Sequence, residues 1–192
     1  VTASETVPAS PTVADVDVLS VFSDGYSSTV DTDFEDGTAQ YTAIAVGDNN
    51  VIQYSRLRDA TKASISFESS VVIADAFGAG QSADSFHIDL HSIHNIGLDK
   101  VKISLGGKTY EQDLVSDEWT SFDIDLALEG ITTIDDIVFE IGTGGTATDE
   151  ATLNIDNVYL HRVSLSTPDF TFDDDDSDYS VTFTDASELA TS

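Results

Sequence analysis

The chain has 192 residues, with Lys+Arg 7 against Asp+Glu 36 and a formal net charge of -29, and it contains no cysteine. That length suits one β-sandwich with extensions and is short for two ordinary domains with linkers. So acidic a surface repels phosphate backbones and anionic head groups, which makes nucleic acid and acidic membranes poor partners, and without cysteine there is no disulfide framework, thiol catalysis or Cys-based zinc.

Hydrophobic residues make up 40% of the chain and recur in strand-length runs, so the acid excess reads as a solvated surface on a folded core. Such a surface suits saline surroundings, where the Debye length is ~8 Å or less. No apolar run approaches the ~20 residues of a membrane span. The chain begins at Val1 and has no Met, the pattern of a chain whose signal peptide has been removed, so an exported, extracellular or cell-surface protein is expected.

Residues 1–14, VTASETVPASPTVA, keep no strand or helix period and hold Pro8 and Pro11, which predicts an extended arm or linker. From Asp15 to residue 165 the pattern is of strands: 16–22, 40–46, 50–55, 62–68, 85–92 and 100–105, then 108–114, 118–126, 136–142 and 151–165. Gly106-Gly107 between two of them signals a two-residue hairpin, because both central positions of a type I′ turn need φ > 0. The nearest approach to a helical stripe, LALEGITTIDDI, is interrupted by Gly130 and a Thr pair. An all-β, two-sheet antiparallel sandwich of jelly-roll type is expected. Residues 166–192 carry a four-Asp run between FTF and YSVTF and read as an acidic tail, an extra hairpin or a tether, with a second calcium loop as the sharper reading.

FSDGYSSTVDTDF (22–34) places Asp24, Asp31 and Asp33 in a turn-rich loop after an apolar strand, and LNIDNVYL (153–160) places Asp156 in a strand expected to lie beside it. Ca²⁺ takes six to eight oxygens from carboxylates, carbonyls and water, so an Asp-rich loop closed by a carboxylate from a distant strand suits it.

These motifs, with NNVIQYSRL (49–57), SFHIDLHS (85–92) and EWTSFDIDL (118–126), resemble, in order, the galactose-binding-like accessory carbohydrate-binding modules attached to polysaccharide-degrading enzymes of marine bacteria. The resemblance covers residues 15–163. It implies a jelly-roll sandwich, a structural calcium held by Asp24, Asp31, Asp33 and Asp156, and a polysaccharide partner. The chain departs from the pattern in FEDGTAQY, where Gln40 is kept and the expected Trp is missing.

Sugar modules need flat rings for pyranose faces and amides, carboxylates or Arg for hydroxyls. The candidates here are Trp119, alternating with Ser121, Asp123 and Asp125 on the face opposite Phe122 and Ile124, together with Tyr54, Gln40 and His91. Arg56 and Arg58, placed in a loop after Tyr54, form with Lys62 the one dense basic spot, suited to a carboxylate or sulfate on an anionic polysaccharide or to salt bridges with neighbouring acids. HIDLHSIH sets His87, Asp89 and His91 on one strand face with His94 beyond, which has the look of a transition-metal cluster; the resemblance makes His87 a packed residue and His91 a replaced aromatic. No nucleophile elbow, phosphate-cradling loop or distinguishable triad is present, so a non-catalytic binding module is expected. The alternative is a filament, sheath or surface-layer subunit that self-associates through its N-terminal arm or C-terminal tail.

Overall fold

The computed structural model describes residues 7–27, 30–35, 37, 39–46, 49–57, 61–93, 98–143 and 151–163. Their strands are β1 (Val18–Phe22), β2 (Thr32–Asp33), β3 (Gln40–Val46), β4 (Asn49–Leu57), β5 (Ala63–Val72), β6 (Ser85–Ser92), β7 (Lys100–Leu105), β8 (Lys108–Asp113), β9 (Trp119–Asp125), β10 (Thr133–Ile141) and β11 (Ala151–His161). One sheet runs β3-β4-β11-β6-β9 with β1 also on β11; the other runs β2-β5-β10-β7-β8. Every strand pair is antiparallel. From β4 onward the chain passes repeatedly between the two sheets, the jelly-roll arrangement expected from the strand pattern.

Alternation explains the sandwich. Phe86, Ile88 and Leu90 of β6, Val101, Ile103 and Leu105 of β7, and Ile137 and Phe139 of β10 join one buried cluster with Ile155, Val158 and Leu160 of β11. Each such side chain contributes roughly 1.5–3 kcal/mol by leaving water. β11 is buried along both faces from Ala151 to Leu160, as suits a strand paired on both edges.

Several boundaries differ from the sequence pattern for local reasons. Asp15–Asp17 form a short 3-10 turn, so the first strand starts at Val18. LALEGITTIDDI does contain one helical turn, α1 (Leu126–Glu129), whose leading backbone N–H groups are capped by Asp125, the Leu128 N–H donating to its carboxylate at 2.8 Å. Gly130 at φ 67 ends it by taking the left-handed conformation. β4 runs through Arg56, which the sequence had placed in a loop. Tyr54 and Leu57 both point into the core, three residues apart, while their β11 partners Leu153 and Ala151 are two apart. Arg56, at φ 64, therefore sits in a β-bulge inside the strand.

The leading arm lies on its own chain over residues 7–14. Ala9 C=O accepts from Asn157 Nδ2 at 3.3 Å, and Val13 C=O accepts from the Tyr26 hydroxyl at 2.7 Å. A second unit, Val163–Ser192, holds the acidic tail, and its residues 164–192 lie outside the described residues. No helix of the described residues is long and apolar enough to cross a membrane.

The hairpin between β7 and β8 gives a direct test of the turn geometry. Gly106 and Gly107 have φ 54 and 74, as a type I′ turn requires. A Cβ at Gly106 would collide with Ile131 Cγ2 and come within 3.0 Å of the Thr133 carbonyl, whereas one at Gly107 meets nothing. Gly107→Ala should cost about 1 kcal/mol from backbone strain alone, and Gly106→Ala about 2–3 kcal/mol, measured by urea denaturation.

Candidate functional site

The outer face of the six-stranded sheet is organised by a second bulge, in β11. Ile155 and Val158 both enter the core although alternation would need a spacing of two or four, and the register against β6 shifts between Asp156 and Tyr159. Asn157 takes φ 48 at this step, a conformation Asn tolerates better than most residues. The bulge turns two consecutive polar side chains, Asp156 and Asn157, away from the core, and both are buried.

A hydrogen-bonded network forms around them. Asp156, 0% exposed, accepts from Asn49 Nδ2 at 2.8 Å and from the Asn157 N–H at 2.6 Å. Asp24 accepts from the Asn50 N–H at 2.5 Å and from Asn50 Nδ2 at 2.9 Å. Asn157 accepts from Ser23 Oγ at 2.8 Å and donates to Asp89 at 2.8 Å, while Ser121 Oγ donates to Asp89 at 2.6 Å. The loop after β1, the start of β4 and strands β6, β9 and β11 thus converge on one polar cluster.

Its charges are unequally balanced. Burial pushes the Asp156 carboxyl up to about 6, against the two hydrogen bonds it accepts, and the nearby carboxylates Asp24 and Asp89 add to the rise. Asp89 is buried too, but hydrogen bonds from His87, Ser121 and Asn157 outweigh burial and hold it below the usual carboxylate range. His87 bridges Asp123 at 2.7 Å and Asp89 at 3.4 Å. Burial would lower its pKa, yet these two carboxylates together raise it.

The four expected calcium carboxylates do not form one group. Asp24 and Asp156 meet through the Asn49-Asn50 pair, but Asp31 precedes β2 and Asp33 lies in it, paired with Ser66 in the other sheet. Asp33 there accepts from the Glu35 N–H at 2.8 Å, serving its own turn. The described residues contain no group of three or more His, Cys, Asp or Glu that could hold a metal, so neither the four-Asp set nor the His87–Asp89–His91 reading is assembled. His94 and Arg58 lie outside the described residues.

The expected sugar contacts also separate. Tyr54 is 0% exposed, with its hydroxyl donating to the carbonyls of Phe34 and Ser64 at 2.8 and 3.0 Å, so it is a core residue with no face for a ligand. His91 is 1% exposed; burial lowers its pKa and keeps the ring neutral. It sits in a cross-strand row: Gln53 Nε2 donates to Asn154 at 3.0 Å, Asn154 faces the His91 ring at 3.5 Å, and that ring lies 5.1 Å from the half-buried Trp119. Gln40 and Arg56 are exposed and flank Ser55 at the β3–β4 end of the same sheet. An open groove of about 450 Å³ elsewhere is lined by Val30, Asp31, Glu68, Val71 and Asp75 with no aromatic ring, which makes it a poor sugar platform. Sequence reasoning missed Asn49, Asn50 and Asn157, and took Asp89 for one of a metal cluster; the NN and IDN pairs were visible, but strand order alone brings them together.

His87 supplies a pH test. Its folded pKa is raised, so its contribution is complete below the unfolded value of about 6.5 and is lost as pH rises through the folded value. In chelator, the melting-temperature difference between wild type and His87→Gln should be largest near pH 5.5 and shrink by pH 8.5.

No protein-family model and no curated protein matches the chain. Among solved structures it is similar to the secreted serine protease VesC from Vibrio cholerae, at 14% identity and a TM-score of 0.37, over 60% of this chain and 22% of that one. It is similar to the CBM22-2 xylan-binding domain of Xyn10C from Paenibacillus barcinonensis at 13% identity and a TM-score of 0.42, over 69% and 91% of the two chains. It is also similar to the carbohydrate-binding module CBM36 in complex with calcium and xylotriose, at 12% identity and a TM-score of 0.36, over 69% and 98%.

Proposed function

We propose that this chain is a non-catalytic, extracellular carbohydrate-binding module whose sandwich is stapled by calcium at Asp24 and Asp156. The observation that carries the reading is the convergence of these two carboxylates. The sequence resemblance implies that they share an ion, and one of them, Asp156, is a buried carboxyl that ionises against its surroundings. Asp156 contacts two asparagines, and among the described residues no basic side chain bonds to it or to Asp24. A hard cation would take Asp24 and Asp156 as carboxylate ligands, with the amide carbonyls of Asn49 and Asn50, whose N–H groups donate to those carboxylates, as the further oxygens at hand. Bound calcium would neutralise the carboxylates and tie the first strand's loop to the last strand.

Asp156 gives the sign of the effect. Its folded pKa of about 6 exceeds the ordinary 3.8, so the metal-free protein loses stability as pH rises from about 4 through 6, by roughly 3 kcal/mol at 1.36 kcal/mol per unit. Calcium should restore that loss. At pH 7.5 wild type should melt higher in millimolar calcium than in chelator, while Asp156→Asn should melt at or above metal-free wild type and gain nothing from calcium. Equal melting of wild type with and without calcium would sink the staple.

The glycan is assigned as uncharged. Lys62 and Lys102 pair with Glu140, Lys100 with Asp113 and Arg162 with Asp17, so four of the seven bases already serve carboxylates. An anionic polysaccharide would meet a net charge of -29. Trp119, Gln40 and Arg56 are the surviving contacts, and Arg56 holds a left-handed conformation that glycine adopts without strain. Affinity electrophoresis should show retardation in gels containing neutral xylan or β-glucan and none in alginate. Arg56→Gly should weaken retardation without lowering the melting temperature. Retardation by alginate alone, or by none of the three, overturns the assignment.

A further inference from the structure

We infer that β3 is a self-pairing edge through which two copies of this chain form a closed, two-fold dimer. The two sheets end in β3, β9, β2 and β8, and β1, an uncharged strand paired only with β11, has a further edge that is interrupted by a bulge between Ser20 and Phe22. β9 carries Asp123 and Asp125, β2 carries Asp33, and β8 carries Lys108, Glu111 and Asp113. β3 reads QYTAIAV, seven residues with no charge and no proline. Edge strands ordinarily carry charge, proline, a bulge or a cover that prevents pairing with another chain. β3 has none of the first three: its register with β4 is unbroken from Gln40↔Ser55 to Val46↔Asn49, and among the described residues only β4 pairs with it.

The inner side of β3 is open as well. Ala43 lies on the core-facing side, opposite the fully buried Ile52, yet Ala43 and Ala45 are themselves exposed. The six-stranded sheet therefore overhangs its partner at this end and leaves small apolar residues in water. An acidic chain excludes most approaches of a second copy, since almost any two surfaces brought together repel. β3 against β3 sets no charge opposite another along a regular edge of seven residues. An antiparallel pairing centred on Ala43 places Thr42 opposite Ile44 and Tyr41 opposite Ala45 across the two-fold axis, which keeps the faces matched and extends the six-stranded sheet across both copies. Because the same edge is used by both partners, the contact closes at two and does not propagate into a filament.

Sedimentation velocity at 5–200 µM, in 0.1 M and in 2 M NaCl, with amide hydrogen exchange on the same samples, tests this. Dimer should appear with rising concentration, shift to tenfold or more lower concentration in 2 M NaCl as repulsion is screened, and protect β3 amides while β9 amides stay unchanged. Thr42→Lys, at an exposed position, should be monomeric throughout with a wild-type melting temperature. A wild type that remains monomeric at 200 µM in 2 M NaCl overturns the inference. So does a monomer with protected β3 amides, since another part of the chain then covers the edge, and so does a dimer that survives Thr42→Lys or leaves β3 amides unprotected.

Discussion

The bulge at Asp156-Asn157 is the constraint on which the outer face of the larger sheet depends. β11 lies between β4 and β6 and also carries β1, so an irregularity there is transmitted to every neighbour. One extra residue aims a carboxylate and an amide to the same side, and both must be satisfied because both are buried. Asn157 does most of this. Its side chain accepts from Ser23 in the loop after β1 and donates to Asp89 on β6 and to the Ala9 carbonyl of the arm. The course of the arm, the position of the Asp24 loop and the ionisation of Asp89 all follow from one left-handed residue in a central strand.

Charge then sorts the functional readings. A chain with 36 acids and 7 bases uses its bases to hold its own carboxylates, as the Lys62–Glu140–Lys102 arrangement between β5, β10 and β7 shows. Ion pairs of this exposed kind contribute at most about 1 kcal/mol each. Their larger consequence is that they leave little positive potential to attract an anionic ligand. Burial makes the Asp156 carboxyl difficult to ionise, and the neighbouring carboxylates Asp24 and Asp89 add to that difficulty.

Much of the fold was legible because its determinants are local. Strict polar/apolar alternation in KVKISL, SFHIDLHS and EWTSFDIDL reports which face of each strand turns to the core, and that can be read from its own residues. The Gly106-Gly107 turn and the stop at Gly130 are likewise set by backbone sterics within a few residues. The bulges were not legible. Arg56 looks like a loop residue because a positive charge after Tyr54 breaks the pattern, and only the ladder to β11 shows that the strand continues. Tyr54 looked like a ligand platform for the same reason, since its burial depends on Phe34 and Ser64 from other elements. Asp31 and Asp33 belonged by proximity in sequence with Asp24, yet two residues of β2 pairing with β5 are enough to carry them to the other sheet.

The two non-glycine residues that break φ inside strands, Arg56 and Asn157, lie in adjacent strands of the same sheet. Each lies where pairing with a neighbouring strand shifts register, and the rest of the sandwich absorbs a cost of about 1–2 kcal/mol apiece. Asn157 has an evident return for that cost, a buried amide bonded to three separate parts of the chain, Ser23, Asp89 and Ala9. Arg56 is exposed, and its carbonyl accepts from Thr61 Oγ1 at 3.0 Å. The two bulges thus set one left-handed residue in the buried middle of the sheet and the other near its open end, where glycine would hold the same backbone with less strain.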